Sequence, residues 1–167
     1  MDVSRFNLKN IACVVDFHEG SRLALSIAGR LALESSAQLY AIHSIDRLAA
    51  FGNLMWSGPP GIYTGFHDYA GDASYQQVLR DMMKRALPES ISAILVIVYG
   101  SRIQNIVNLL RQHHADLCVV GLKNDTGRWH HLFTPMGTQR IIRRSPCPVL
   151  TIHAQSFHGE YYAGPTI

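Results

Sequence analysis

Five apolar runs of strand length, at 10–16, 38–45, 91–99, 116–121 and 148–153, recur along the chain with helix-periodic segments between them. The runs are rich in Ile, Val and Leu and show little polar alternation. Strands of that kind are covered on both faces, as in a parallel sheet between two helical layers. After the first run, Ala24, Ile27, Ala28 and Leu31 fall at i, i+3, i+4 and i+7. Tyr75, Val78, Leu79, Met82, Met83 and Ala86 repeat the pattern before the third run, and Ile103, Ile106, Val107 and Leu110 before the fourth. Ser101-Arg102-Ile103-Gln104 opens that third helix as a capping box. A short fourth helix, Gln139-Arg140-Ile141-Ile142-Arg143, is ended by Pro146, and Pro148 delays the last strand. The order β-α-β-α-β-α-β-α-β in 167 residues specifies one doubly wound α/β domain, residues 1–153.

Two segments break the repeat. The insertion 46–74 holds Phe51, Trp56, Tyr63, Phe66 and Tyr69, is long for a structureless connection, and is expected to fold over the domain as a flap or to contain short helical turns. The tail 154–167 carries Phe157, Tyr161 and Tyr162, aromatics suited to docking on the domain or on a partner. The formal charge of +3, from 15 basic and 12 acidic residues, is spread along the chain and does not argue for nucleic acid. Cys13, Cys118 and Cys147 each lie in an apolar run without metal-ligand spacing and read as buried thiols in a reducing cytosol. No signal-like segment opens the chain and no run approaches the ~20 apolar residues that span a bilayer. The expectation is a soluble, cytoplasmic protein with no membrane partner.

In an open parallel sheet a ligand binds beyond the carboxyl ends of the strands, where strand order reverses. The first run ends there in Val14-Val15-Asp16 and the fourth in Val119-Val120-Gly121. Further on, Gly127 and Gly137-Thr138 are nine residues apart, and the Gly-Thr pair precedes the fourth helix. Glycine admits a phosphate close to the backbone, a threonine hydroxyl adds a donor, and a helix start offers free N–H groups to an anion. Asp16 suits ribose or adenine donors, or else caps the following turn. Arg128-Trp129-His130-His131 reads as a basic aromatic cover or a solvated loop. His18 reads as a neighbour of the ligand or a surface turn residue. The pairs His113-His114 and His130-His131 lack the convergent spacing of metal ligands. Paired carboxylates and a nucleophile–base pair are also missing, which favours a binding module over an enzyme.

Three parts of the chain resemble the universal stress protein family. They are Ile11-Ala12-Cys13-Val14-Val15-Asp16 with Ser21-Arg22-Leu23-Ala24-Leu25, then Ala41-Ile42-His43-Ser44-Ile45, then Ala115-Asp116-Leu117-Cys118-Val119-Val120-Gly121 with Cys147-Pro148-Val149-Leu150. The resemblance covers about 8–153. It implies a Rossmann-like, HUP-type α/β fold, with a five-stranded parallel sheet in the order 3-2-1-4-5 and helices on both faces. Family members that bind ATP carry Gly-x2-Gly-x9-Gly-(Ser/Thr). Gly127-x9-Gly137-Thr138 matches its second half, whereas five residues separate Gly121 from Gly127 where the pattern has two. Carried over, the resemblance places Val14, Val15, Asp16 and Ser44 at adenine and ribose. Gly127, Gly137, Thr138 and Gln139 fall at the phosphates of ATP, with Mg, and Val120 and Gly121 complete the nucleotide-binding set. It further implies a stress-response module that pairs as a homodimer through the last strand, Pro148-Val149-Leu150-Thr151-Ile152-His153. The alternative is a nucleotide-free interaction protein whose altered loop serves packing and whose insertion or tail binds a protein. Sequences that mark the ATP-activating HUP enzymes, such as Ser-Gly-Gly-x-Asp-Ser, are absent.

Overall fold

A computed structural model of the chain describes residues 7–16, 18–45, 73–99, 102–122 and 135–153. Its strands are β1 (Asn10–Val14), β2 (Gln38–Ile45), β3 (Ala93–Tyr99), β4 (Leu117–Leu122) and β5 (Val149–His153). The helices are α1 (Glu19–Ser35), α2 (Ala73–Ala86), α3 (Arg102–Gln112) and α4 (Pro135–Arg144). All strand pairs are parallel and the sheet order is β3-β2-β1-β4-β5, as expected. Gly127, Ser101 of the capping box, Arg128 to His131 and the aromatic tail lie outside the described residues. So do residues 46–72 of the insertion, while Ala73 and Ser74 belong to α2.

Strand alternation sorts the apolar side chains into two cores. Ile11, Cys13, Val15, Leu39, Ala41 and Val119 pack under α1 and α2. Ala12, Val14, Ile42, Cys118 and Val120 pack with Ile106 and Leu110 of α3 and Ile141 of α4. Successive residues of each strand thus serve opposite helical layers, which is why the runs read as continuously apolar. Val78 departs from the expected stripe and is 54% exposed, because it projects about 100° around the helix from Leu79, which faces the sheet with Met82 and Met83. Cys13 and Cys118 are buried as expected and burial raises both thiol pKa values. Cys147 is only half-buried, since it sits in the turn before β5 where Ser145 Oγ donates to its carbonyl. Its pKa is also raised, mainly by burial.

At the amino edge of the sheet Asp116 ties β1 to β4. Its Oδ2 accepts the N–H groups of Lys9 and Asn10 at 2.8 and 2.9 Å, and its own N–H donates to the Asn10 carbonyl. Two donors ahead of β1 are thereby satisfied across the chain.

Helices α1 and α3 end alike. Ser36 and His114 adopt the left-handed conformation, with φ 55° and 47°. Each is followed by an alanine whose N–H reaches back to a carbonyl in the last turn, Ala37 to Ala32 and Ala115 to Leu110, both at 2.9 Å. This is the Schellman closure, which favours glycine at the left-handed position. Ser36→Gly and His114→Gly are each expected to stabilise the protein by about 0.5–1 kcal/mol in urea unfolding. A loss of stability in both would contradict the capping geometry.

Candidate functional site

The reversal of strand order falls between β1 and β4, where Val14 lies beside Val120. On its other side Val14 is level with Ile42, and the Val15 N–H donates to the Ile42 carbonyl at 2.9 Å. The carboxyl ends of β1, β2 and β4 therefore form one edge, with Ser44 two residues beyond Ile42. Strand parity puts Val14, Val120, Ile42 and Ser44 on the α3/α4 side. From above that side comes α4, whose Thr138 lies one turn before the buried Ile141 and shares its inward face.

The helix start differs from the sequence reading. α4 begins at Pro135, where a missing N–H costs nothing, and runs on through Gly137 and Thr138. The Gly-Thr pair is therefore inside the first turns of the helix, both residues buried. Among the described residues two hydroxyls at this edge are buried without a hydrogen-bond partner: Ser44 Oγ, in a residue 8% exposed, and Thr138 Oγ1, in one 3% exposed. Buried polar groups are nearly always paired, and each exception requires an explanation.

The remaining expected residues are placed as follows. Val15 turns its side chain into the α1/α2 core, and its carbonyl accepts from His43 Nδ1 at 2.8 Å. That bond fixes the proton on Nδ1, because a carbonyl only accepts. Gln139 is exposed on the outer side of α4, away from Thr138. Gly121 has a packing role: a Cβ there would run into the backbone carbonyl of Gly20, and one on Gly20 into the carbonyl of Leu122. The amino end of α1 thus lies against the carboxyl end of β4 with no room for a side chain. Val14 and Val120 are fully buried and form the apolar floor of the edge.

Asp16 takes the local role open to it. Its Oδ1 accepts the His18 N–H at 3.0 Å and lies 3.2 Å from His18 Nε2. His18 is neither a surface residue nor a bystander, since it is the N-cap of α1. Its Nδ1 accepts the Ser21 N–H at 3.0 Å, so the ring proton is on Nε2, facing Asp16. An imidazole here does what Ser, Thr, Asp or Asn commonly does at a helix start. Ser21 completes the turn: its Oγ accepts the Asp16 N–H at 2.7 Å and lies 3.5 Å from the Val14 carbonyl. Asp, His and Ser are close together without forming a nucleophilic relay, because the fully buried Ser21 hydroxyl and the His18 Nδ1 are both bound to backbone.

Sequence reasoning overlooked His43, Gly20 and the capping role of His18. A histidine within an apolar strand was the available signal for the first, and the short Asp16-x-His18 spacing before a helix for the last. His113 stacks on Tyr40 with ring centroids 4.4 Å apart, and His114 occupies the left-handed cap, so this pair has structural work. Among the described residues no group of three His, Cys, Asp or Glu side chains is placed to hold a metal ion, and no helix is long and apolar enough to cross a membrane.

The family model described as universal stress protein family matches residues 7–153. No curated protein matches the chain. Among solved structures, a universal stress protein in complex with cAMP is 20% identical, with a TM-score of 0.58, over 88% of this chain and 98% of that one. UspA from Lactobacillus plantarum is 22% identical, TM-score 0.58, over 87% and 98%. A universal stress protein from Archaeoglobus fulgidus in complex with dAMP is 16% identical, TM-score 0.51, over 88% and 98%. At these identities the structures establish the shared fold, and the family model extends over both cores and every strand. The chain belongs to the universal stress protein family.

Proposed function

We propose that the carboxyl edge of β1, β2 and β4, roofed by the first turns of α4, binds an adenine nucleotide, ATP with Mg, and that the chain is a nucleotide-responsive stress module. One observation carries the reading: Ser44 and Thr138 keep buried hydroxyls without partners on one face of one edge. Burying a hydroxyl unpaired costs about 1–3 kcal/mol, a cost removed when a ligand supplies acceptors. Ser44, at the end of β2, suits the nucleoside portion. Thr138 and the start of α4 suit the phosphates, where backbone N–H groups and the helix dipole favour anions. Solved relatives of the same fold holding cAMP and dAMP support the choice of an adenine nucleotide. No hydrolytic step is assigned to the site. The module acts as a homodimer in which β5, an edge strand of this sheet, pairs with its copy and so covers both edges.

Calorimetric titration with Mg-ATP tests the site, and sedimentation of the same samples tests the dimer. Ser44→Ala and Thr138→Val are each expected to weaken binding by about tenfold, the loss of one hydrogen bond to a charged or polar ligand. Thr138→Val keeps the shape of the side chain and removes an unpaired hydroxyl, so the ligand-free protein should melt at a higher temperature. Binding lost with stability gained is the signature of a hydroxyl kept for a ligand. Unchanged affinity in both variants would overturn the assignment, and absence of any binding would favour the nucleotide-free interaction protein.

A further inference from the structure

The charge that is spread along the sequence is sorted by the fold. Helices α1 and α2 carry both signs, Glu19, Glu34 and Asp81 among Arg22, Arg30, Arg80, Lys84 and Arg85. Helices α3 and α4, which pack side by side over the opposite face, contain no carboxylate at all. Arg111, Arg140, Arg143 and Arg144 on these two helices are exposed, and none of the four guanidinium groups has an ion pair or hydrogen bond among the described residues.

The spacing on α4 is itself unfavourable to the helix. Arg140 stands three residues before Arg143 and four before Arg144, the separations at which side chains are neighbours and like charges repel. Arg143 and Arg144 find some compensation at the negative end of the helix dipole, but Arg140, in the middle of the helix, does not. Ile142, 49% exposed, lies about 100° around the helix from Arg143, on the flank opposite Arg140. Both helices return antiparallel to the strands, so Arg111 and the end of α4 lie toward the amino edge, away from Thr138 and the proposed nucleotide.

We propose that this outer face of α4, with Arg111 of α3, docks an acidic helical segment of a protein partner. Carboxylates at i, i+3 and i+4 of such a segment repeat the separation of the three arginines, and the planar guanidinium fork matches a carboxylate in two hydrogen bonds. An apolar residue of the segment covers Ile142, giving the mixture of arginine and apolar anchor found at protein interfaces. A nucleic acid strand fits less well. The helices α3 and α4 offer no aromatic side chain on which a base could stack, and phosphates would leave Ile142 uncovered.

The test is a fluorescence-anisotropy titration of the full chain into a labelled amphipathic peptide of about 20 residues, long enough to hold a helix. Its glutamates stand at i, i+3 and i+4 beside a leucine stripe. Oligothymidylate and phosphatidylserine vesicles are measured in parallel at physiological ionic strength. The peptide is expected to bind most tightly, and the triple variant R140Q/R143Q/R144Q to bind it at least about tenfold more weakly. Ile142→Ser should also weaken it, while Arg30→Gln, on the opposite face, should not. All these positions are exposed, and melting curves confirm that each variant is folded. Equal peptide binding by the triple variant, tighter binding of oligothymidylate or vesicles, or no peptide binding at all would each overturn the proposal.

Discussion

Gly121→Ala is expected to destabilise the domain by at least about 4 kcal/mol, a large share of the ~5–15 kcal/mol that holds a domain of ordinary stability folded. The added methyl would occupy the position of the Gly20 carbonyl, and the Ser21 nitrogen lies only 2.6 Å from it. Backbone cannot rotate aside as a side chain does, so α1 must lift from β4 and drag Leu23, Ala24, Ala28 and Ala32 from the core. Gly29→Ala provides the contrast. Its methyl would meet Leu87 Cδ2 at 2.6 Å and Pro88 Cδ at 3.1 Å. The leucine tip can turn away, and alanine is the better helix former by about 1 kcal/mol. The net change at Gly29 should stay within about 1 kcal/mol of zero. Urea unfolding of the two variants side by side checks the difference, and equal effects would show that the α1–β4 contact is looser than described.

Ile141→Ala is expected to cost about 3–4 kcal/mol, within the range for removing a buried aliphatic side chain and leaving a cavity. Ile141 is fully buried, and with Gly137 and Thr138 it is all that α4 buries among its described side chains. The remaining residues from Gln139 to Arg144 are exposed. So short a helix has little stability of its own, and loss of the Ile141 anchor should also loosen the roof over Thr138 and weaken nucleotide binding. Ile142→Ala, one position along and half-exposed, should change stability by less than about 0.5 kcal/mol. Thermal melts and amide exchange of α4 in both variants distinguish anchoring from general hydrophobicity.

The two isoleucines show where the sequence was readable and where it was not. The existence of the strands and their succession along the chain followed from apolar runs that are continuous because each strand serves two cores, the sheet order followed from the family resemblance, and β2 was located to the residue. Helical phase was less secure. The apolar spacing admitted Val78 to the stripe, yet its side chain projects to the flank, and only contact with the sheet separates Val78 from Leu79. The start of α4 was read too late because Gly137 looked like a loop residue. In the structure Pro135 initiates the helix, and Gly137 lies buried in its first turn.

Val14, Ser44 and Val120, singled out from the sequence, lie on the sheet face that α4 covers, and Thr138 is on the buried side of α4. Gly121 was singled out for close backbone approach to a phosphate, and among the described residues the backbone that meets it belongs to Gly20. No local pattern announces that pairing, because the two residues are adjacent only through the crossover between β1 and β4. Asp16 and His18 illustrate the same limit at short range. Their types suggested ligand contact, and the geometry turns both toward the cap of α1, leaving the unpaired hydroxyls as the clearer mark of a ligand.

The strand order also bears on how the chain is born. β1 is the middle strand of the sheet, made before all others. Asp116, directly before its partner β4, holds the carboxylate that receives the Lys9 N–H from 107 residues along the chain. As the polypeptide leaves the ribosome, β2 can cover one flank of β1 early, but the other remains an open, apolar edge until β4 has been synthesised. Such an edge invites pairing with another nascent chain. The strand that organises the finished sheet is thus the one exposed longest during synthesis, and the interval before β4 appears is when pairing with a second nascent chain has its widest opening.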